Sequence, residues 1–220
     1  MKNHRCAPLL EDFYRQYLQD QDADGLVERV SGRYEIGTLE RLAAHGNPLA
    51  RRGAVLVLGM IGDFRSNAVL GRALADEDPE VRGLAENGIR WLWCRDGADG
   101  ERKRLSNIIR CNSSQKYQQA ARLATQLLAS SPELAEAWNQ RAVAHFGLGQ
   151  FDQSIGDCRK TLGLNPYHFA AATGMGQCYL QLGNRQAALD SFRLALRLNP
   201  GLEGVRAHVL HLQRTLNTQD

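Results

Sequence analysis

The chain has 220 residues, of which 43 % are hydrophobic and 23 % charged, and its net charge of +3 is too small to imply a nucleic-acid partner by itself. No apolar run reaches the length of a membrane span, and the first twenty residues lack a signal-peptide core, so no membrane association and a cytoplasmic location are expected. Five cysteines (Cys6, Cys94, Cys111, Cys158, Cys178) form no CxxC pair, which excludes the usual zinc and disulfide patterns and favours separate thiols in a reducing compartment.

In chain order, residues 8–20 read as a leading helix. An internal period follows: Leu39 aligns with Leu70, Pro48 with Pro79, Arg51 with Arg82 and Ala54 with Ala85. A partial earlier copy in residues 25–37 sets Val27 against Leu58 and Val30 against Ile61. The segment DPEVRGLAENGIRWL resembles HEAT-like repeats of the bacterial phycobilisome-lyase type. That resemblance implies that Asp78 and Pro79 start a helix and that Arg82 braces the turn between repeats. In the preceding copy Asn47 stands for the aspartate, and Arg51 and Arg52 are two candidate braces. The stretch CRDGADGE, Cys94–Glu101, reads as a turn or short linker. Trp91 and Trp93 just before it are candidates to cover the junction, or ordinary core residues.

A second, slightly longer period organises the rest. Pro132, Pro166 and Pro200 are evenly spaced, Leu148-Gly149 recurs as Leu182-Gly183, and Asn165-Pro166 recurs as Asn199-Pro200. This pattern, with its spacing of about 34 residues, resembles the tetratricopeptide repeat, a pair of antiparallel helices. One repeat runs from Ala135 to His168, with Trp138 at the aromatic position and Ala142 at a small one. The next runs from Phe169 to Leu202, where Gly176, Tyr179, Ala188, Phe192 and Ala195 match and Ala172 replaces the usual tryptophan. A half-degenerate copy occupies Glu101–Leu134, its second helix marked by Tyr117, Ala120 and Leu128. Gly149 and Gly183 fall between paired helices, where a left-handed backbone suits glycine. Val205, Val209, Leu212 and Leu216 predict a helix that covers the end of the stack. The expected fold is an all-α, right-handed α-solenoid: a HEAT-like region with a leading helix over residues 1–97, then a tetratricopeptide domain with a capping helix over 98–220.

Signatures of catalysis are missing. Gly174-x-Gly176 lies inside a predicted helix and is not a phosphate loop, HExxH and GxSxG do not occur, and no His-Glu dipeptide is available for an iron hydroxylase. His208 and His211 are three apart but lack a third ligand. We therefore expect no enzyme activity, cofactor or metal. The resemblance implies that the first helix of each pair lines an inner groove. Its positions are Asn139, Val143 and Phe146 from one repeat, Thr173, Gln177, Leu180 and Gln181 from the next, and His211 and Arg214 from the capping helix. This mix of apolar and amide side chains suits a protein or peptide partner. The positions at which some tetratricopeptide domains clamp a C-terminal carboxylate hold Leu105, Ile109, Gln140, Ala170 and Gly174, none of them basic. The expected function is a non-enzymatic scaffold or adaptor. The alternatives are a nucleic-acid cradle using Arg51, Arg52, Arg82, Arg90 and Arg95, or an accessory subunit of an enzyme or lyase complex.

Overall fold

The computed structural model describes residues 9–217, and among these every regular element is helical. They form two compact units that divide between Leu92 and Trp93. Cys6 lies outside the described residues.

The first unit contains α1 (Leu9–Asp20), α2 (Ala23–Ser31), α3 (Ile36–His45), α4 (Pro48–Ile61), α5 (Asn67–Ala73) and α6 (Pro79–Arg95), the last running past the division. The first sequence period is built into these bounds: the start of α3 at Ile36 recurs as the start of α5 at Asn67, and Pro48 of α4 recurs as Pro79 of α6. Proline opens both α4 and α6, where its missing N–H costs nothing. Asn47 caps α4 by accepting the Ala50 N–H at 3.0 Å, and Asp78 accepts the Glu80 N–H at 3.0 Å at the start of α6. The arginines repeat as well. Arg51 Nη1 donates to the Gly46 carbonyl at 3.2 Å, and one period later Arg82 Nη1 donates to the Glu77 carbonyl at 3.1 Å. Both therefore hold the turn that precedes their own helix. Arg52 makes a bidentate pair with Asp78, at 2.7 and 3.0 Å, tying the start of α4 to the start of α6. That guanidinium and the Glu80 N–H hold the Asp78 carboxyl below the usual carboxylate range against the opposing effect of burial.

Leu39, Leu58, Leu70 and Ile89 make the centre of this unit, all fully buried. Helices α4 and α6 cross with their backbones almost touching at Gly59 and Gly88: a Cβ on Gly59 would stand 2.7 Å from the Gly88 Cα. Tyr17, Leu56, Met60, Leu84 and Trp91 line a cleft over this crossing.

The linker expected at Cys94–Glu101 is shorter than its composition implies. Helix α6 continues through Arg95, and α7 (Asp99–Ser113) begins inside the stretch. The Glu101 carboxylate accepts the Ala98 N–H at 2.7 Å and Arg102 Nη1 donates to the Gly97 carbonyl at 2.9 Å, so the first turn of α7 is capped from within.

The second unit continues with α8 (Tyr117–Ser130), α9 (Ala135–Gly147), α10 (Phe151–Leu164), α11 (Phe169–Gln181), α12 (Arg185–Leu198) and α13 (Glu203–Asn217). Helices α8, α10 and α12 have identical lengths and start at Tyr117, Phe151 and Arg185, in step with the second period, as do α9 and α11. The turns repeat with them. Gly149 and Gly183 have φ of 72° and 73°, and Gln115, one period earlier, has φ of 57°. The degenerate first copy thus keeps the left-handed turn without its glycine. Ser131, Asn165 and Asn199, again one period apart, end the second helix of each pair and are all buried.

Large and small residues interlock as the period predicts. Phe192 fills the space left by Gly176, where a Cβ would lie 2.6 Å from the ring, and Tyr117 does the same over Gly147. Ala172, Ala188 and Ala195 are fully buried in one cluster with Val205, Val209 and Leu212 of α13, which covers the end of the stack. Burying such alanines and filling between them with Phe192 stabilises the pair by close approach rather than by bulk.

Candidate peptide-binding surface

The residues expected to line an inner face of the second unit lie on the first helices of two pairs, α9 and α11, and on α13. Its two ends differ in structure. At the start of α9 and α11 it is closed by a hydrogen-bonded knot. His168 is fully buried immediately before α11, and its Nδ1 accepts the Ala171 N–H at 3.1 Å. A backbone N–H can only donate, so the ring proton resides on Nε2. That nitrogen donates to Glu136 Oε2 on α9 at 2.8 Å. The other carboxylate oxygen, Oε1, accepts from Asn139 Nδ2 at 3.1 Å and from Gln140 Nε2 at 2.7 Å. Asn112 Nδ2 of α7 donates to the Gln140 side chain and backbone carbonyls at 2.9 and 2.8 Å, extending the network to another helix. Burial alone would raise the Glu136 carboxyl, but the hydrogen bonds from His168, Gln140 and Asn139 outweigh it and hold the group below its usual range. Trp93 closes the knot from above. Its indole stacks on the His168 ring at 4.0 Å and 18°, and lies 5.3 Å from the Phe169 ring.

Further along, the surface opens. Val143 is 42 % exposed, Gln177 and Gln181 of α11 are exposed, and Thr173 is half-buried with its hydroxyl donating to the Phe169 carbonyl. Phe146 is half-buried with its ring edge-on to Phe151 at 5.5 Å, and Leu180 packs at the margin of the cluster under α13. His211 and Arg214 are exposed on α13. Of the nine expected groove residues, Asn139 is thus drawn into the knot. Val143, Gln177, Gln181, His211 and Arg214 offer surface, while Thr173, Phe146 and Leu180 are partly committed to packing.

A second set of partners fixes α9 against its neighbours. Arg141 makes a bidentate pair with buried Asp157 of α10, both contacts at 2.8 Å, and its guanidinium lies over the Trp138 ring at 4.7 Å. Ser154 Oγ donates to the Ala142 carbonyl at 2.8 Å and accepts from the Cys178 thiol at 3.2 Å. Burial pushes Cys158, beside them, up to about 12, so this thiol is a core group and not a nucleophile.

The other candidate residues are placed as follows. His208 stacks on Phe192 at 5.1 Å. Leu105 is buried, and Gln140 belongs to the knot. Arg51 pairs with Asp76 and Glu77, Arg52 with Asp78, Arg82 with backbone carbonyls and Arg90 with Glu86. Arg95 is partly buried, which lowers its tendency to carry charge. Arg51, Arg52 and Arg82 hold turns and helix starts, and Arg90 pairs along α6. Of the two neighbouring tryptophans, Trp93 is buried whereas Trp91 is 63 % exposed on the cleft of the first unit. Among the described residues, no group of three or more His, Cys, Asp or Glu side chains is placed to hold a metal, and no helix is long and apolar enough to cross a membrane.

Comparison with known proteins agrees with the geometry of the second unit. Residues 113–194 match the family model of the anaphase-promoting complex, cyclosome, subunit 3. A TPR repeat-containing protein of Rhizobium etli is 26 % identical over 57 % of this chain and 61 % of its own length. A Bos taurus protein, the SGT1 homolog, is 31 % identical over 42 % of this chain and 28 % of its own. The chain therefore spans less than two thirds of either relative. Among solved structures, the first tetratricopeptide domain of Spaghetti (RPAP3), bound to the HSP90 peptide SRMEEVD, superposes with a TM-score of 0.51 at 20 % identity. The match covers 53 % of this chain and 93 % of that one.

Proposed function

We propose that the second unit is an array of tetratricopeptide repeats that binds a protein partner by taking an extended segment on the open part of its inner face. The observation that carries this reading is Val143, an apolar side chain at an inner position that stays 42 % exposed. Around it, Gln177 and Gln181 present amides that can both donate to and accept from a peptide backbone, and Phe146 and Leu180 add partly buried apolar area. His211 and Arg214 bound the surface on α13. On this reading the chain is a non-enzymatic cytoplasmic adaptor.

The partner segment differs from the HSP90 peptide held by the RPAP3 domain. The positions that would meet a terminal carboxylate carry Leu105, Ile109, Gln140, Ala170 and Gly174, and none of these supplies a positive charge. Within the same reading, residues 1–97 are a HEAT-like region whose braces are Arg51 and Arg82, and residues 98–220 are the partner-binding domain. The equivalence of the Arg51–Gly46 and Arg82–Glu77 contacts supports that assignment.

The test is affinity capture from the native cell with the full chain, followed by quantitative mass spectrometry. Val143→Glu should deplete the specific partner, while the outer-face variant Gln186→Glu should retain it. Equal recovery by both variants would move the binding surface elsewhere.

A further inference from the structure

The cleft of the first unit is enclosed by three helices whose spacing is set at glycines. Helix α1 rests on α4 at Gly53, where a Cβ would stand 3.2 Å from side-chain atoms of both Leu10 and Tyr14. Helix α6 meets α4 at Gly59 and Gly88, and neither has room for a Cβ. These last two glycines line the cleft, so its floor is main chain already at contact distance and cannot close further. The space above them is about 420 Å³, within the range of roughly 300–1,000 Å³ typical of small-molecule sites.

The walls carry no charge. Tyr17 comes from α1, Leu56 and Met60 from α4, and Leu84 and Trp91 from α6. Tyr17 is backed by Tyr14, whose ring stacks on it at 6.4 Å and is 2 % exposed. Met60 adds a polarisable thioether suited to the edge of an aromatic ring. Trp91 is 63 % exposed, whereas Trp93, two residues later, is 3 % exposed. The same helix thus buries one indole and leaves the other at the side of an apolar cleft. One amide completes the lining, that of Asn87, exposed one turn before Trp91 and able both to donate and to accept. Glu86 and Arg90, its charged neighbours on α6, pair with each other at 3.1 Å and lie outside the lining.

We propose that this cleft is a binding site for a small, neutral, planar aromatic molecule carrying one hydrogen-bonding group, its ring against Trp91 and Tyr17 and its polar atom on Asn87. A charged ligand is disfavoured, because the cleft strips water from the charge and no lining side chain replaces that hydration. An aliphatic ligand gains the buried area but not the ring contacts offered by Trp91, Tyr17 and Met60. The site belongs to the first unit and does not depend on partner binding by the second.

The probe is β-naphthol, a neutral fused ring with one hydroxyl, compared with β-naphthoate and cyclohexanol by equilibrium dialysis against the full chain. One equivalent of β-naphthol should bind saturably, and the carboxylate and the aliphatic alcohol should each bind weaker by roughly tenfold or more. Trp91→Ala removes a mostly exposed side chain, so the fold should be kept, and it should weaken β-naphthol by roughly tenfold. Gly83→Ala, elsewhere on α6, should leave binding unchanged. Asn87→Leu should weaken β-naphthol severalfold and leave naphthalene unaffected. Should Trp91→Ala fail to fold, Met60→Lys gives a second reading, since a cation in the wall should reverse the preference toward β-naphthoate. Uptake that does not saturate, equal binding of β-naphthoate by the unsubstituted chain, unchanged affinity in folded Trp91→Ala, or an unreversed preference in Met60→Lys would each overturn the proposal. A concentration-dependent dimer dispersed by Trp91→Ala would assign the cleft to a second copy of the chain and overturn it equally.

Discussion

One imidazole, that of His168, joins two repeats by using both of its nitrogens: Nδ1 caps α11 through the Ala171 N–H, and Nε2 reaches Glu136 on α9 at 2.8 Å. The two functions can be separated by substitution. His168→Ala loses both and should cost about 3 kcal/mol, because a buried carboxylate is left short of a donor and a helix start loses its cap. His168→Asn keeps a capping side chain but cannot span the distance to Glu136, and should recover about 1 kcal/mol of that loss. Urea unfolding followed by circular dichroism measures both. Equal destabilisation of the two variants would show that the cap contributes nothing.

The same carboxylate predicts a pH dependence. Glu136 is held below its ordinary range in the folded chain, so its contribution to stability is fully present above the unfolded-state value, about 4.5, and is lost as pH falls toward the folded-state value. Stability should therefore decline in acid below about pH 4.5. Glu136→Gln removes the titrating group. It should be less stable than the unsubstituted chain at about pH 7 and should show a shallower decline between about pH 5 and pH 3. Parallel acid limbs in urea titrations would rule out a role for this carboxylate.

In the first unit the test lies at the crossing of α4 and α6. Gly88→Ala places a methyl group 2.8 Å from the Gly59 Cα, where neither backbone can yield without separating the helices, and should destabilise by about 1–3 kcal/mol. Gly83→Ala on the same helix meets no atom within 4 Å and should be neutral or stabilising by about 0.5–1 kcal/mol, since alanine is the better helix former. Similar melting midpoints for the two variants would mean that the crossing is looser than the Gly59–Gly88 contact indicates.

Much of this architecture is legible in the sequence because its repeats keep strict spacing. Pro132, Pro166 and Pro200 mark the turns that follow each pair, and Gly149 and Gly183 mark the left-handed positions within the pairs. Gln115 shows how the period carries further than its signatures: it adopts the same turn without being glycine, as its spacing alone implies. What periodicity could not reveal is a contact made by a residue outside the period. Asn139 reads as inward-facing and free, but Glu136 takes its amide and it is buried, whereas Val143 one turn later is exposed. Glu136 and His168 stand at opposite ends of one repeat, and neither is a repeat signature. The available hint was His168 itself, a hydrogen-bonding side chain placed where a helix start needs an acceptor. Arg82, by contrast, donates to the Asp76 and Glu77 carbonyls of the turn before α6, a contact that its spacing from Arg51 suggests.

The register of the second unit can be checked independently of function. Ala195 is fully buried among Ala188, Phe192 and the apolar face of α13, whereas Arg185 is exposed at the first turn of α12. Ala195→Trp should cost about 3 kcal/mol or prevent folding, and Arg185→Ala should stay within about 0.5 kcal/mol of the unsubstituted chain. Thermal melts of the pair decide it. Equal midpoints would show the helix faces to be misassigned.

The central claim, that the open inner face from Val143 to Arg214 takes a partner segment, is tested most directly by isothermal calorimetry with the captured segment and the double variant Val143→Glu/Gln177→Ala. Both side chains are exposed, so the fold should be retained, as circular dichroism would verify. Introducing a charge opposite an apolar contact and removing an orienting amide should together weaken binding by at least tenfold, or about 1.4 kcal/mol. Unchanged affinity in the folded double variant would contradict the claim and place the partner on another surface of the chain.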